Sequence, residues 1–150
     1  MATKETFDHF FASKKMAIAG VSRNKKKFGY MVFDHLKKNG FEVTPINPNT
    51  TEIDGVACYS DVTSLPADVE NLLVVTPKSQ TTEIIKQAKE KGIKRVFIQQ
   101  MSDNPEALKI AMEGGMELIS KKCIFMFTEP VTGVHKFHRF FMKMFGKLYN

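Results

Sequence analysis

Short apolar runs alternate with amphipathic stretches along most of this chain. Met16-Ala17-Ile18-Ala19 is apolar without a polar alternation, as expected of a strand buried on both faces. Phe41 to Ile46 (ending in the turn signal Asn47-Pro48-Asn49), Asn71 to Val75, Val96 to Ile98 and Glu117 to Ile119 are the other predicted strands, giving five. Between them the apolar residues fall at helical spacing. Val32, Phe33 and Leu36 form one stripe, Thr81, Ile84, Ile85 and Ala88 a second, and Ala107, Leu108, Ala111 and Met112 a third. A short helix over residues 3–12, with Phe7, Phe10 and Phe11 on one side, precedes the first strand. Thr3 and Asn104 stand where N-caps belong, Pro105 fits the first helical position, and Gly40, Gly92 and Gly114-Gly115 are natural stops.

Strands alternating with helices predict a parallel sheet with helices on both faces. The expectation is an α/β, Rossmann-like, doubly wound five-stranded sheet of order 3-2-1-4-5. Residues 1–150 read as a single domain with its core at about residues 14–125. Residues 47–68 carry no long periodic run: Ile53-Asp54-Gly55-Val56 reads as a turn and Ser64-Leu65-Pro66 as a connector. After Pro130, Val134, Phe137, Phe140, Phe141, Met144, Phe145 and Leu148 keep helical spacing, with Lys136, Arg139, Lys143 and Lys147 opposite. That predicts an extra C-terminal amphipathic helix over about 131–148.

Composition narrows the class. The 150 residues are 43% hydrophobic and 25% charged, as in an ordinary globular domain. No apolar run is long enough for a membrane span, and Met1 to Glu5 lack the order of a signal peptide. Two cysteines, Cys58 and Cys123, are too few for a disulfide framework. A cytoplasmic protein is the default expectation. The net charge of +6 leans toward an anionic partner: a phosphate-bearing ligand, nucleic acid or a membrane surface. The cations cluster at Arg23 to Lys27 and in the tail. No nucleic-acid reader motif accompanies them, so nucleic acid is not expected.

In doubly wound sheets ligands bind beyond the carboxyl ends of the strands. Here those ends are Gly20-Val21-Ser22, Asn47-Pro48, Thr76-Pro77 and Gln99-Gln100. Strand, glycine turn and helix start make an anion site, since free N–H groups and the helix dipole both favour negative charge. A nicotinamide dinucleotide is the first hypothesis, but the G-x-G-x-x-G fingerprint is absent and no carboxylate ends the second strand. A phosphorylated ribose would suit that missing carboxylate, and Arg23, Lys25, Lys26 and Lys27 would suit several phosphates.

At this point the sequence resembles the small stand-alone CoA-binding domain proteins, whose domain also stands at the front of the succinyl-CoA synthetase alpha chain. The matching residues are Ile18-Ala19-Gly20-Val21-Ser22, Gly29-Tyr30, Gly40, Val43, Pro45-Ile46-Asn47-Pro48 and Ile53-Asp54-Gly55 with Tyr59. Leu65-Pro66, Val74-Val75-Thr76-Pro77, Ile98-Gln99-Gln100 and Cys123-Ile124 continue the set. The resemblance implies that coenzyme A, or an acyl-CoA, lies across the strand ends. It implies that Gly20, Val21, Ser22 and Arg23 cradle the diphosphate, with Lys27 and Gly29 beside them. Asn47 and Pro48 would border the adenosine, Thr76 and Pro77 would face the nucleotide, and Gln99 and Gln100 would lie toward the pantetheine arm. Two departures stand out: Arg23-Asn24-Lys25-Lys26-Lys27 replaces a turn usually richer in proline and glycine, and Gln99-Gln100-Met101 lacks the usual glycine.

Catalytic sets are not evident. No Ser-His-Asp set or paired carboxylate can be assembled, and His135 and His138, at helical i, i+3 spacing, have no third metal ligand. Cys123 follows Lys121-Lys122, which would favour its thiolate and a mixed disulfide with the CoA thiol, or it is a small buried hydrophobe. The sequence therefore reads as a CoA- or acyl-CoA-binding module. The alternatives are an NAD(P)-linked oxidoreductase or redox-sensing regulator, and an interaction protein acting through its tail. That tail would pack on the sheet, form a homo-oligomer or meet an anionic membrane.

Overall fold

Successive strand residues point to opposite faces of a sheet, and this chain uses both. Met16, Ile18, Leu73 and Phe97 enter one buried cluster, while Ala17, Ala19, Leu72, Val74, Val96 and Ile98 enter the other. The computed structural model describes residues 2–128. Its elements run α1 (Lys4–Ala12), β1 (Lys15–Ala19), α2 (Phe28–Lys38), β2 (Glu42–Ile46), β3 (Glu52–Ile53), β4 (Val56–Ala57), β5 (Asn71–Val74), α3 (Lys78–Lys91), β6 (Arg95–Gln99), α4 (Pro105–Glu113) and β7 (Glu117–Lys122). A 3-10 turn, Ile124–Met126, follows. The expected C-terminal helix over 131–148 lies outside the described residues.

β2-β1-β5-β6-β7 form one sheet in that order, all parallel. The expected Rossmann-like doubly wound class is what the chain adopts. The position of the Asn71–Val74 strand is a correction: in the expected order 3-2-1-4-5 it would lie beyond β2, and it lies beside β1. Counting only strands of the large sheet, the order is 2-1-3-4-5. The physical reason is the segment between β2 and β5. It folds into the small β3–β4 hairpin and then touches β2 through a single parallel bridge, Ile46 to Tyr59. Tyr59 N–H donates to the Pro45 carbonyl at 3.0 Å, and Asn47 N–H to the Tyr59 carbonyl at 2.9 Å. One residue thus holds the outer position that a full strand would occupy.

α1, α2 and the 124–127 segment cover one face, with Phe7, Phe10, Val32, Phe33, Leu36 and Ile124 buried there. α3, α4 and the connector cover the other through Ile85, Ala88, Ala107, Ala111, Val62 and Leu65. Both expected caps are present. Thr3 accepts from Thr6 N–H at 3.3 Å, and Asn104 Oδ1 from Ala107 N–H at 2.8 Å. Gly92 ends α3 in the left-handed region at φ +84°. With β2 on one side of β1 and β5 on the other, successive crossovers leave in opposite directions. The gap above β1 and β5 is therefore the switch point where such sheets hold ligands.

Candidate functional site at the switch point

A cleft of about 620 Å³ opens above the ends of β1, β2 and β5. Its floor is the first turn. Gly20 sits at φ +101°, and a Cβ there would lie 3.0 Å from both the Thr76 nitrogen and the Val75 carbonyl carbon. Gly29, in the first turn of α2, packs behind it: a Cβ on Gly29 would fall 2.0 Å from the Gly20 carbonyl oxygen. These two glycines let the start of α2 rest directly on the turn. The N–H groups of Val21, Ser22 and Arg23 donate to no group among the described residues. Consecutive unbonded N–H groups at a strand-to-helix turn form an anion-binding concavity.

Helix starts reinforce it. Lys27 caps α2 and Pro77 caps α3 without any side-chain hydrogen bond, and neither first turn carries an acid. The positive dipole end of each is left uncompensated. Ser79 and Gln80, from the first turn of α3, line the cleft.

Of the twelve residues singled out in the sequence, the structure brings seven together on the cleft: Gly20, Val21, Ser22, Asn47, Pro48, Thr76 and Pro77. Not all of them present free polar groups. Asn47 Nδ2 donates to the Val21 carbonyl at 2.8 Å while its Oδ1 accepts from Asn49 N–H at 2.8 Å, so its amide braces one turn against the other. Thr76 is buried with its hydroxyl 3.1 Å from Thr81 Oγ1, and Thr81 donates to the Ser102 carbonyl at 2.7 Å. A hydroxyl has one proton, so Thr76 is the donor to Thr81.

The other five lie off the cleft. Arg23 and Lys27 are exposed on the loop beside it. That loop is folded on itself: Ser22 Oγ accepts from Asn24 N–H, and Asn24 Oδ1 from Lys26 N–H, both at 3.0 Å. Gly29 is behind the turn. Gln99 points to the opposite face, where its Oε1 accepts from the buried Ile124 N–H at 3.0 Å. Gln100 is exposed, with its N–H on the Lys122 carbonyl. Cys123 is half-buried and packs against the core, and burial pushes the half-buried Cys58 thiol up.

Sequence reasoning missed the far wall. Ser60, Asp61, Glu83 and Gln87 line the cleft there, with Val62 and Ile84. Asp61-Val62-Thr63-Ser64 has the look of a self-bonded turn, but nothing local says it faces the first strand. Asp61 Oδ1 accepts from Ser64 N–H at 2.8 Å and the Thr63 hydroxyl at 2.9 Å. These bonds, the Ser64 N–H first, hold its carboxyl below the usual range. On the α2 side the Tyr30 hydroxyl donates to Asp54 in the β3–β4 hairpin, which pushes the phenol up to about 12. That bond ties the hairpin to the helix that carries Gly29.

Fold and cleft together define a doubly wound domain with a nucleotide-type anion site at its switch point. The family model for the CoA binding domain matches residues 14–129, and the chain belongs to that family. It is 32% identical over 128 residues to the alpha subunit of an ADP-forming acetate–CoA ligase II of Pyrococcus furiosus, a match covering 78% of this chain and 28% of that one. The chain thus spans little more than a quarter of that relative, and 19% of an ADP-forming acetate–CoA ligase II of Archaeoglobus fulgidus to which it is 30% identical. Among solved structures, a conserved hypothetical protein of Pyrococcus furiosus shares 35% identity at a TM-score of 0.71, over 73% of this chain and 95% of that one. A hypothetical protein of Pyrococcus horikoshii shares 29% identity at a TM-score of 0.76, over 83% of this chain and 87% of that one. No helix among the described residues is long and apolar enough to cross a membrane.

Proposed function

We propose that this chain binds coenzyme A or an acyl-CoA in the cleft above β1, β2 and β5, with the diphosphate on the Gly20-Val21-Ser22-Arg23 turn. The observation that carries the proposal is the row of unbonded N–H groups at Val21, Ser22 and Arg23, beside a start of α3 that no side chain caps. Two phosphates supply the negative charge that both features lack. Gly20 and Gly29 are needed for the shape of the turn, and Asn47 for its bracing. Pro48 and Pro77 form part of the walls. Arg23 and Lys27, exposed beside the cleft, raise the local concentration of a polyanion, so binding weakens as salt rises. The proposed activity is binding, with no bond made or broken. The same reading includes a cytoplasmic location.

A thermal-shift series tests this with CoA, acetyl-CoA, NAD and NADP. A ligand at a hundred times its Kd stabilises by about 2.7 kcal/mol, which raises Tm by about 6 °C or more in a chain of this size. The expected result is such a shift with CoA and acetyl-CoA, and a smaller one with either nicotinamide cofactor at equal concentration. A shift with NADP alone would move the assignment to the oxidoreductase reading.

A further inference from the structure

The cleft has two chemically opposite ends. One is the N–H-rich turn. The other holds two carboxylates, Asp61 and Glu83, in a chain with 22 Lys and Arg against 16 Asp and Glu. Neither forms an ion pair among the described residues. Between them stands Gln87, whose orientation is set from both sides: its Oε1 accepts from Val62 N–H at 3.1 Å, and its Nε2 donates to Glu83 Oε1 at 3.4 Å. Asp61 uses Oδ1 on its own turn. Asp61 Oδ2 and Glu83 Oε2 bond to no group among the described residues and are pure acceptors. The surfaces around this end are apolar: Ile46, Pro48, Val62 and Ile84. Apolar walls with acceptors at one end suit an aromatic ring that carries an N–H₂ group.

We infer that Asp61 and Glu83 form a base-reading edge that accepts from the exocyclic amine of adenine and rejects purines with an oxygen at that position. The inference rests on the CoA reading above and deepens it. The Asp61 side of the cleft adjoins the end of β2, which supplies Ile46, Asn47 and Pro48 to the same lining. The ribose is a poor candidate for the same contact, because CoA carries a phosphate on its ribose, and two carboxylates would repel it. The neutral amine has no such conflict. An oxo group in its place would set acceptor against acceptor at that position.

The test is displacement of CoA from the full chain by ADP and by IDP, followed calorimetrically. ADP should compete about tenfold more strongly than IDP, the ratio that one net hydrogen bond supplies. Glu83→Gln, on the exposed face of α3, should bring the ratio toward one with Tm unchanged. Asp61→Asn should do the same, with some loss of Tm from its turn. An ADP that fails to displace CoA, or displaces it no better than IDP, overturns the inference and leaves CoA binding standing. So does a ratio that survives Glu83→Gln. A chain that binds neither CoA nor ADP overturns both this inference and the function on which it rests.

Discussion

The two halves of the rim are built from the same βα units and finished in opposite ways. Above β1, β2 and β5 the polar groups of the backbone are left open. α2 and α3 begin without a side-chain cap or an acid, and the turn at Val21–Arg23 has three N–H groups to spare. Above β6 and β7 side chains close the helix start and the strand end. α4 begins at Asn104, whose Oδ1 accepts from Ala107 N–H and whose Nδ2 donates to the Lys78 carbonyl at 2.9 Å, with Glu106 in its first turn. Gln99 is spent on Ile124, and Thr81 on Ser102. Helix starts are ordinarily satisfied by caps and acids, so a pair left bare at one switch point marks where a ligand supplies the missing charge. The closed half holds the sheet edge in place.

Gly29→Ala attacks the open half at its foundation. The added Cβ would meet the Gly20 carbonyl at 2.0 Å, backbone against backbone, so α2 must lift off the turn. The expected outcome is a loss of about 3 kcal/mol or more in denaturant unfolding, together with loss of CoA binding. Gln99→Leu attacks the closed half. It strands the buried Ile124 N–H and is expected to lower stability by about 1–3 kcal/mol while leaving CoA affinity within twofold in calorimetry. If affinity fell with stability, the two halves would not be separable.

Met101 sharpens the contrast further. It stands at φ +73° with 76% of its surface exposed, at the position where a glycine would relieve the backbone. Met101→Gly should raise stability by about 1 kcal/mol in the same unfolding assay, with CoA affinity unaltered. A fall in affinity would show that the Met101 side chain reaches the ligand and that the closed half takes part in binding.

Much of this was legible from the chain. Short apolar runs and the turn residues that bound them located every strand of the large sheet, most plainly the central ones, which are buried on both faces. Thr3, Asn104, Gly40 and Gly92 read correctly as punctuation, since caps and stops are local chemistry. The glycine turn was visible for the same reason. Strand order was not. It depends on residues 52–59 forming a hairpin and one bridge, and no local signal separates that from a short strand. The far wall was hidden as well: Asp61 and Glu83 are 22 positions apart and share one cleft wall where Gln87 docks on Val62. Gln99 looked like a rim residue because it ends a strand. Its place two residues after Phe97 gives it that residue's face, away from the cleft.

The open start of α3 is the centre of the account, and Ser79→Asp tests it most directly. An acid in the first turn complements the helix dipole, so the unliganded chain should gain about 0.5 kcal/mol in denaturant unfolding. The same charge would sit on the cleft wall beside the proposed diphosphate and should weaken CoA binding by about tenfold in calorimetric titration. Stability up and affinity down is the predicted pair. Stability up with CoA affinity unchanged would mean that the ligand does not lie at the start of α3, and would contradict the assignment of the site.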